Sequence, residues 1–164
     1  MKVLLIRHAS AVPSGTPGIA DDDRPLTPRA KARFRVAARG LARIAHRPDV
    51  LLTSPLPRAR ATAEIAAGAF RRIEPTVEPV LAHGSVADVV AVLARQPTDS
   101  MVAIVGHEPV LSSLLARLLG ANAVDGFAFK KGGAALVDLS GGPRATGRLV
   151  WFIKPRILRT LAED

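Results

Sequence analysis

At 164 residues the chain is short enough for one domain, yet long enough to bury about two-thirds of the surface its unfolded form exposes. It has no cysteine, which excludes a disulfide framework and thiolate metal sites and makes a reducing cytoplasm the expected setting. Lys and Arg outnumber Asp and Glu by 23 to 14, a formal net charge of +9, but with no Tyr and 4% aromatic residues there is no stacking platform for single strands or RNA.

The opening "MKVLLIRHAS" is too short in its apolar part for a signal peptide, and no apolar run approaches ~18 residues, so neither export nor a membrane is expected. Within it, "KVLLI" (2–6) predicts a buried strand that ends directly on Arg7 and His8. Thr27 followed by Pro28 is a helix start, and Phe34, Ala38, Leu41 and Ala45 continue it as one apolar stripe. "DVLLT" (49–53) predicts a second strand, followed by "SPLPRARATAE", which puts Arg58 at the opening of a helix. "TVEPVL" (76–81) reads as a weaker strand that Pro79 confines to an edge or an ending. Val86, Val89, Val90 and Leu93 after Ser85 predict a helix, and "MVAIV" (101–105) a third central strand. "GHEP" places His107 two residues beyond that strand, before a helix carried by Leu111, Leu114, Leu115 and Leu118. "AALVDL" (134–139) and "RLVWFI" (148–153) flank a Gly/Pro-rich loop and predict an antiparallel hairpin.

This alternation predicts an α/β fold of three layers, with a mostly parallel central sheet flanked by helices, and a single domain over residues 1–164. In such sheets ligands bind beyond the carboxyl ends of the strands. Three strands there deliver Arg7 with His8, then Arg58, then His107 to one edge. Such a set suits a group with several negative oxygens. Two guanidiniums can grip a phosphoryl group, and a neutral imidazole can attack it. Arginines can also supply the positive charge a metal would bring. The acidic residues form no compact metal array, and "ADDDRP" (20–25) reads as a solvated loop. Twelve basic residues against two acidic ones lie between Arg24 and Arg72. An acidic protein or nucleic acid could meet that stretch, although solvated helix faces explain most of it.

"LLIRHAS" (4–10) resembles the "RHG" signature of the histidine phosphatase, or phosphoglycerate-mutase-like, superfamily. "RPLTPRAKA" (24–32), "TSPLPRARATAE" (53–64) and "VAIVGHEP" (102–109) resemble three further segments of that family, in the same order. The length and the loop before "RPLT" are most similar to the small SixA-type phosphohistidine phosphatases. The resemblance implies a phosphoglycerate-mutase-like fold and a phosphatase that needs no metal or other cofactor. It implies His8 as the nucleophile, Arg7 and Arg58 as phosphate clamps, and His107 as a second histidine binding the phosphoryl oxygens. Glu108 is placed ahead of Glu78 and His83 as the proton donor. Ala9 and Ala30 stand where the family has Gly, so both turns must accept a Cβ.

The substrate this implies is phosphohistidine on a protein partner, such as a histidine phosphotransfer protein. A small phosphate monoester, for example a sugar phosphate or nucleotide, is the alternative. A non-catalytic phosphate-binding or nucleic-acid-binding module is a reading of another class, disfavoured by the joint retention of Arg7, His8, Arg58 and His107 and by the lack of nucleic-acid motifs. Neither the oligomeric state nor the role of the tail "KPRILRTLAED" (154–164) follows from the sequence.

Overall fold

The structure, a computed structural model, describes residues 1–122 and 126–163. Six strands form one mixed sheet: β1 (Lys2–Arg7), β2 (Val50–Thr53), β3 (Pro75–Val77), β4 (Met101–Gly106), β5 (Ala134–Asp138) and β6 (Arg148–Ile153). Their spatial order is β3-β2-β4-β1-β5-β6. The pairings β1 with β4, β2 with β4 and β2 with β3 are parallel, while β5 runs antiparallel to both β1 and β6. Central β4 is buried along its whole length, as its continuous apolar run requires.

Alternation along the strands divides the core in two. Leu4, Ile6, Ala103 and Val105 point to one face, where they meet Phe34, Leu41, Ala59 and Leu158. Those residues come from α1 (Pro28–Ile44), α2 (Pro57–Ala69) and, after the short α3 (Val80–His83), α4 (Val86–Ala94) and α5 (Val110–Leu118), from α6 (Pro155–Leu161). Val3, Leu5, Val102 and Ile104 point the other way, onto Val89 and Leu93 of α4 and Leu111 and Leu115 of α5. No described helix is long and apolar enough to cross a membrane.

Helix starts follow the sequence signals. The Thr27 hydroxyl accepts from the Ala30 N–H at 3.1 Å, a cap of the kind that stabilises by about 1 kcal/mol. Ser85 and Asp88 form a reciprocal capping box on α4. The segment 76–81 holds a strand at the sheet edge, as Pro79 implied, but a shorter one than expected: it stops at Val77, and Pro79, with φ −56° and ψ −34°, turns the chain into α3. A proline fixed in the helical region leads into a helical turn more readily than into extended chain. The tail also acquires a place. As α6 it lies so close against α1 that a Cβ on Gly40 would fall 1.8 Å from the Leu158 carbonyl oxygen, and Arg43 donates to the Leu161 carbonyl at 2.9 Å.

Candidate functional site

β1 and β4 are register partners through Arg7 and Gly106, so the residues following them leave the sheet side by side. His8 and His107 therefore face each other, with ring centroids 4.9 Å apart and planes inclined by 51°. Arg58, at the start of α2 beyond β2, is buried with them. Arg7, His8, Arg58 and His107 thus come together at one sheet edge from three strands.

The turn after β1 is fixed by its neighbours. The His8 N–H donates to the Gly106 carbonyl at 3.1 Å, and the Ala9 N–H donates to the Thr62 hydroxyl at 3.0 Å. That hydroxyl donates to the Arg58 carbonyl at 2.7 Å, so one side chain of α2 ties the His8 turn to Arg58. Neither Ala9 nor Ala30 has a positive φ, and a Cβ at each is accepted without strain. His8 Nδ1 lies 2.7 Å from the Ala9 carbonyl oxygen. A carbonyl only accepts, so Nδ1 carries the ring proton and the lone pair of the neutral ring belongs to Nε2. Burial pushes the His8 imidazole down to about 4; the Ala9 carbonyl opposes this, and Arg58, Arg7 and Lys131 reinforce it. His107 is pushed down to about 3, first by burial and then by His8, Arg58 and His83.

The arginines are held by backbone oxygens. Arg7 Nη1 donates to the Phe129 carbonyl, and Arg58 Nη1 to the Asp21 carbonyl at 2.8 Å. His107 Nε2 is 2.7 Å from the Ser54 hydroxyl. Three buried nitrogens have no partner among the described residues: Nε of Arg7, Nε of Arg58 and Nδ1 of His107. Unpaired buried polar groups are costly; the two guanidinium Nε–H groups are donors, and His107 Nδ1 joins them in the tautomer whose Nε2 accepts from the Ser54 hydroxyl, a set suited to an oxyanion ligand.

Glu108 has a different setting. The Phe129 N–H donates to Oε1 at 2.7 Å, the Ser112 N–H to Oε2 at 3.1 Å, and the Ser112 hydroxyl lies 2.6 Å from both oxygens. Both carboxylate oxygens are occupied in fastening α5 to the segment that holds Arg7. Of the other two candidates for the proton donor, Glu78 faces Arg95 at 3.6 Å, and the exposed His83 Nε2 lies 3.0 Å from Asp22 Oδ2.

The "ADDDRP" segment is closer to the site than its polarity suggests. A 3-10 turn, Asp21–Asp23, presents carbonyls to Arg58, and the Asp21 carboxylate is 3.9 Å from the same guanidinium. Arg24 anchors this turn, donating to the Val12 carbonyl at 3.0 Å and pairing with Asp21 at 2.9 Å. Ser54, Thr62, Asp21 and Asp22 are thus site neighbours that sequence reasoning missed. Thr62 is one helical turn from Arg58, a spacing that could have revealed it; the Phe129 carbonyl has no side-chain signature. Among the described residues, no group of three His, Cys, Asp or Glu side chains is arranged to hold a metal ion.

Comparison with known proteins gives a consistent result. The profile of the histidine phosphatase superfamily (branch 1) matches residues 3–85. An uncharacterized protein of Picosynechococcus is 37% identical over 114 residues, 68% of each chain. Among solved structures, the protein histidine phosphatase SixA complexed with tungstate superposes with a TM-score of 0.83 at 26% identity, over 96% of this chain and 99% of that one. SixA of Agrobacterium tumefaciens, a candidate phosphohistidine phosphatase, gives 0.80 at 28% identity over 94% and 97%.

Proposed function

Because this chain belongs to the histidine phosphatase superfamily (branch 1), we propose that it hydrolyses phosphohistidine on a protein partner through a covalent intermediate on His8. The observation that carries this reading is the lone pair of His8 Nε2 beside three unpartnered buried nitrogens from Arg7, Arg58 and His107. In the first step Nε2 attacks phosphorus, the P–N bond to the substrate imidazole breaks, and that imidazole leaves with its ring proton. Water then attacks phosphorus, the bond to His8 breaks, and inorganic phosphate and the neutral ring return. Arg7 and Arg58 offset charge on the transferring oxygens, and His107 binds the same group.

Two arginines supply the positive charge, so the reaction as proposed uses no metal. A leaving imidazole protonated on the ring departs readily, so no strong acid is needed, and Glu108 serves as an anchor for Phe129 rather than as the proton donor. A protein substrate is supported by the architecture around the site: only residues 70–74 separate α2 from β3, which leaves no room there for a segment to roof over a small molecule. The likeness to SixA, complexed with tungstate, a tetrahedral oxyanion, supports the same reading. One domain spanning residues 1–164 would carry all these groups, since both cores pack on one sheet.

Incubation with a phosphodonor tests the mechanism. The wild type should retain an acid-labile, base-stable phosphate that His8→Ala does not. An unlabelled wild type that still hydrolyses its substrate would overturn the covalent route.

A further inference from the structure

A groove of about 570 Å³ begins at Ser10, two residues beyond His8. Arg29 and Arg33 of α1 form one wall. Lys154, at the N-cap of α6, with Arg156 and Arg159 along that helix form the other, and Lys130 and Lys131 close the end nearest the site. No acidic side chain among the described residues lines it. Among the described residues, none of these seven cations lies in an ion pair. The turn at its inner end is tied to the nucleophile, since the Gly132 N–H donates to the Arg7 and His8 carbonyls, both at 3.1 Å.

Packing so many like charges together is unfavourable unless something outside the chain answers them. At Arg159, burial and then the neighbouring Arg33 and Arg156 push the guanidinium below its ordinary value. The basic stretch between Arg24 and Arg72 is not the source of this surface as a whole. Arg35 and Arg39 lie beside Glu64, and Arg43 and Arg47 border another depression with Arg71. Only Arg29 and Arg33 join the groove, and the five other cations come from the last third of the sequence. Among the described residues its lining has no aromatic ring on which a base could stack, which separates it from nucleic-acid grooves.

We infer that this groove docks an acidic segment of the phosphoprotein substrate, leading the phosphohistidine toward His8. The inference rests on the phosphohistidine reading for the identity of the partner, but docking is measurable without catalysis. The cations are spread over two helices and a turn, a footprint that suits carboxylates spaced along a peptide.

Two labelled peptides test it, each with a central histidine and differing only in carrying about six flanking glutamates or glutamines. At about 50 mM salt the wild type should bind the Glu peptide about tenfold more tightly or better, and the preference should shrink toward parity near ~0.5 M. R29E/R33E/R156E, all exposed positions, should abolish the preference while leaving binding of the Gln peptide and turnover of p-nitrophenyl phosphate unchanged. R35E/R39E/R47E makes the same change in net charge away from the groove and should retain the preference. The inference is overturned if the groove variant keeps its preference, if the control loses it equally, if the wild type has none, or if an oligodeoxynucleotide of equal charge binds as tightly. If the phosphorylated Glu peptide binds but is not hydrolysed, the phosphohistidine reading fails and docking stands.

Discussion

The rings of His8 and His107 are 4.9 Å apart, and His8 helps keep His107 from becoming a cation. Burial is the larger cause of their low proton affinity, and proximity adds to it at His107. A pair held neutral in this way leaves His8 ready to attack at pH values where a solvated imidazole is mostly protonated.

The first prediction concerns pH. Both imidazoles fall from 6.5, to about 4 for His8 and about 3 for His107, so between these values and 6.5 the unfolded chain binds more protons than the folded one. This stability is complete above pH 6.5 and is lost as pH falls toward 4, by roughly 1.4 kcal/mol per pH unit for a single imidazole. The urea midpoint should drop across this window, and His107→Gln should flatten the drop. The acidic limb of kcat/KM, which reports the free enzyme, should lie near pH 4. A limb at the ordinary imidazole value would contradict a buried neutral nucleophile.

Arg58→Lys keeps a charge but loses the planar fork, and with it the two-point grip on phosphoryl oxygens. Losses at comparable oxyanion donors are about 100-fold or more in kcat, and that fall is expected here. Steady-state kinetics on a phosphohistidine peptide would measure it; a change of less than about threefold would remove Arg58 from the transition state.

Thr62 never needs to meet substrate, yet its hydroxyl joins the His8 turn to Arg58. Thr62→Val matches its shape but leaves the buried Ala9 N–H without an acceptor, at a cost of about 1–3 kcal/mol in stability. kcat should fall as the turn relaxes. Thr62→Ser restores the hydroxyl and should recover both properties, whereas a role in packing alone would be kept by Val and lost by Ser.

For Glu108 the two possible roles separate by leaving group. An anchor acts through Arg7 on every substrate, so Glu108→Gln should slow phosphohistidine and alkyl phosphate hydrolysis by the same factor. A proton donor would spare phosphohistidine and slow the alkyl ester by a further ~10²–10⁴-fold. Ser112→Ala should mimic the anchor effect in weaker form.

Gly40→Ala sets helix propensity against space. Ala favours a helix interior by about 1 kcal/mol. Its Cβ would however lie 1.8 Å from backbone oxygen of Leu158, which cannot swing aside as a side chain can. Overpacking of this kind costs about 1–3 kcal/mol or more, so the melting temperature should fall and α6 should exchange its amide protons faster.

Sheet and helices were legible because apolar runs and caps are local properties: β1, β2 and β4 lie within a residue of their expected bounds, and Thr27 and Ser85 cap where they should. Convergence of Arg7, His8, Arg58 and His107 was legible because parallel strands deliver their carboxyl ends to one edge. The Asp21–Asp23 turn was not, since its contribution to Arg58 is made largely by carbonyls, which every residue has. Nor was the placement of α6 against α1, which depends on the missing Cβ of Gly40 meeting a chain segment more than a hundred residues away. "TVEPVL" gave the edge strand but overran its end, because β-branched residues on both sides of Pro79 mask the point where the chain turns.

The oxygen that orients His8 belongs to the main chain of Ala9. Every amino acid at that position would bring the same carbonyl, so no single-codon change can delete the partner that aims the ring. A side-chain carboxylate in that role would be exposed to mutation. With a main-chain carbonyl in that role, sequence drift around the turn can proceed without disarming the nucleophile.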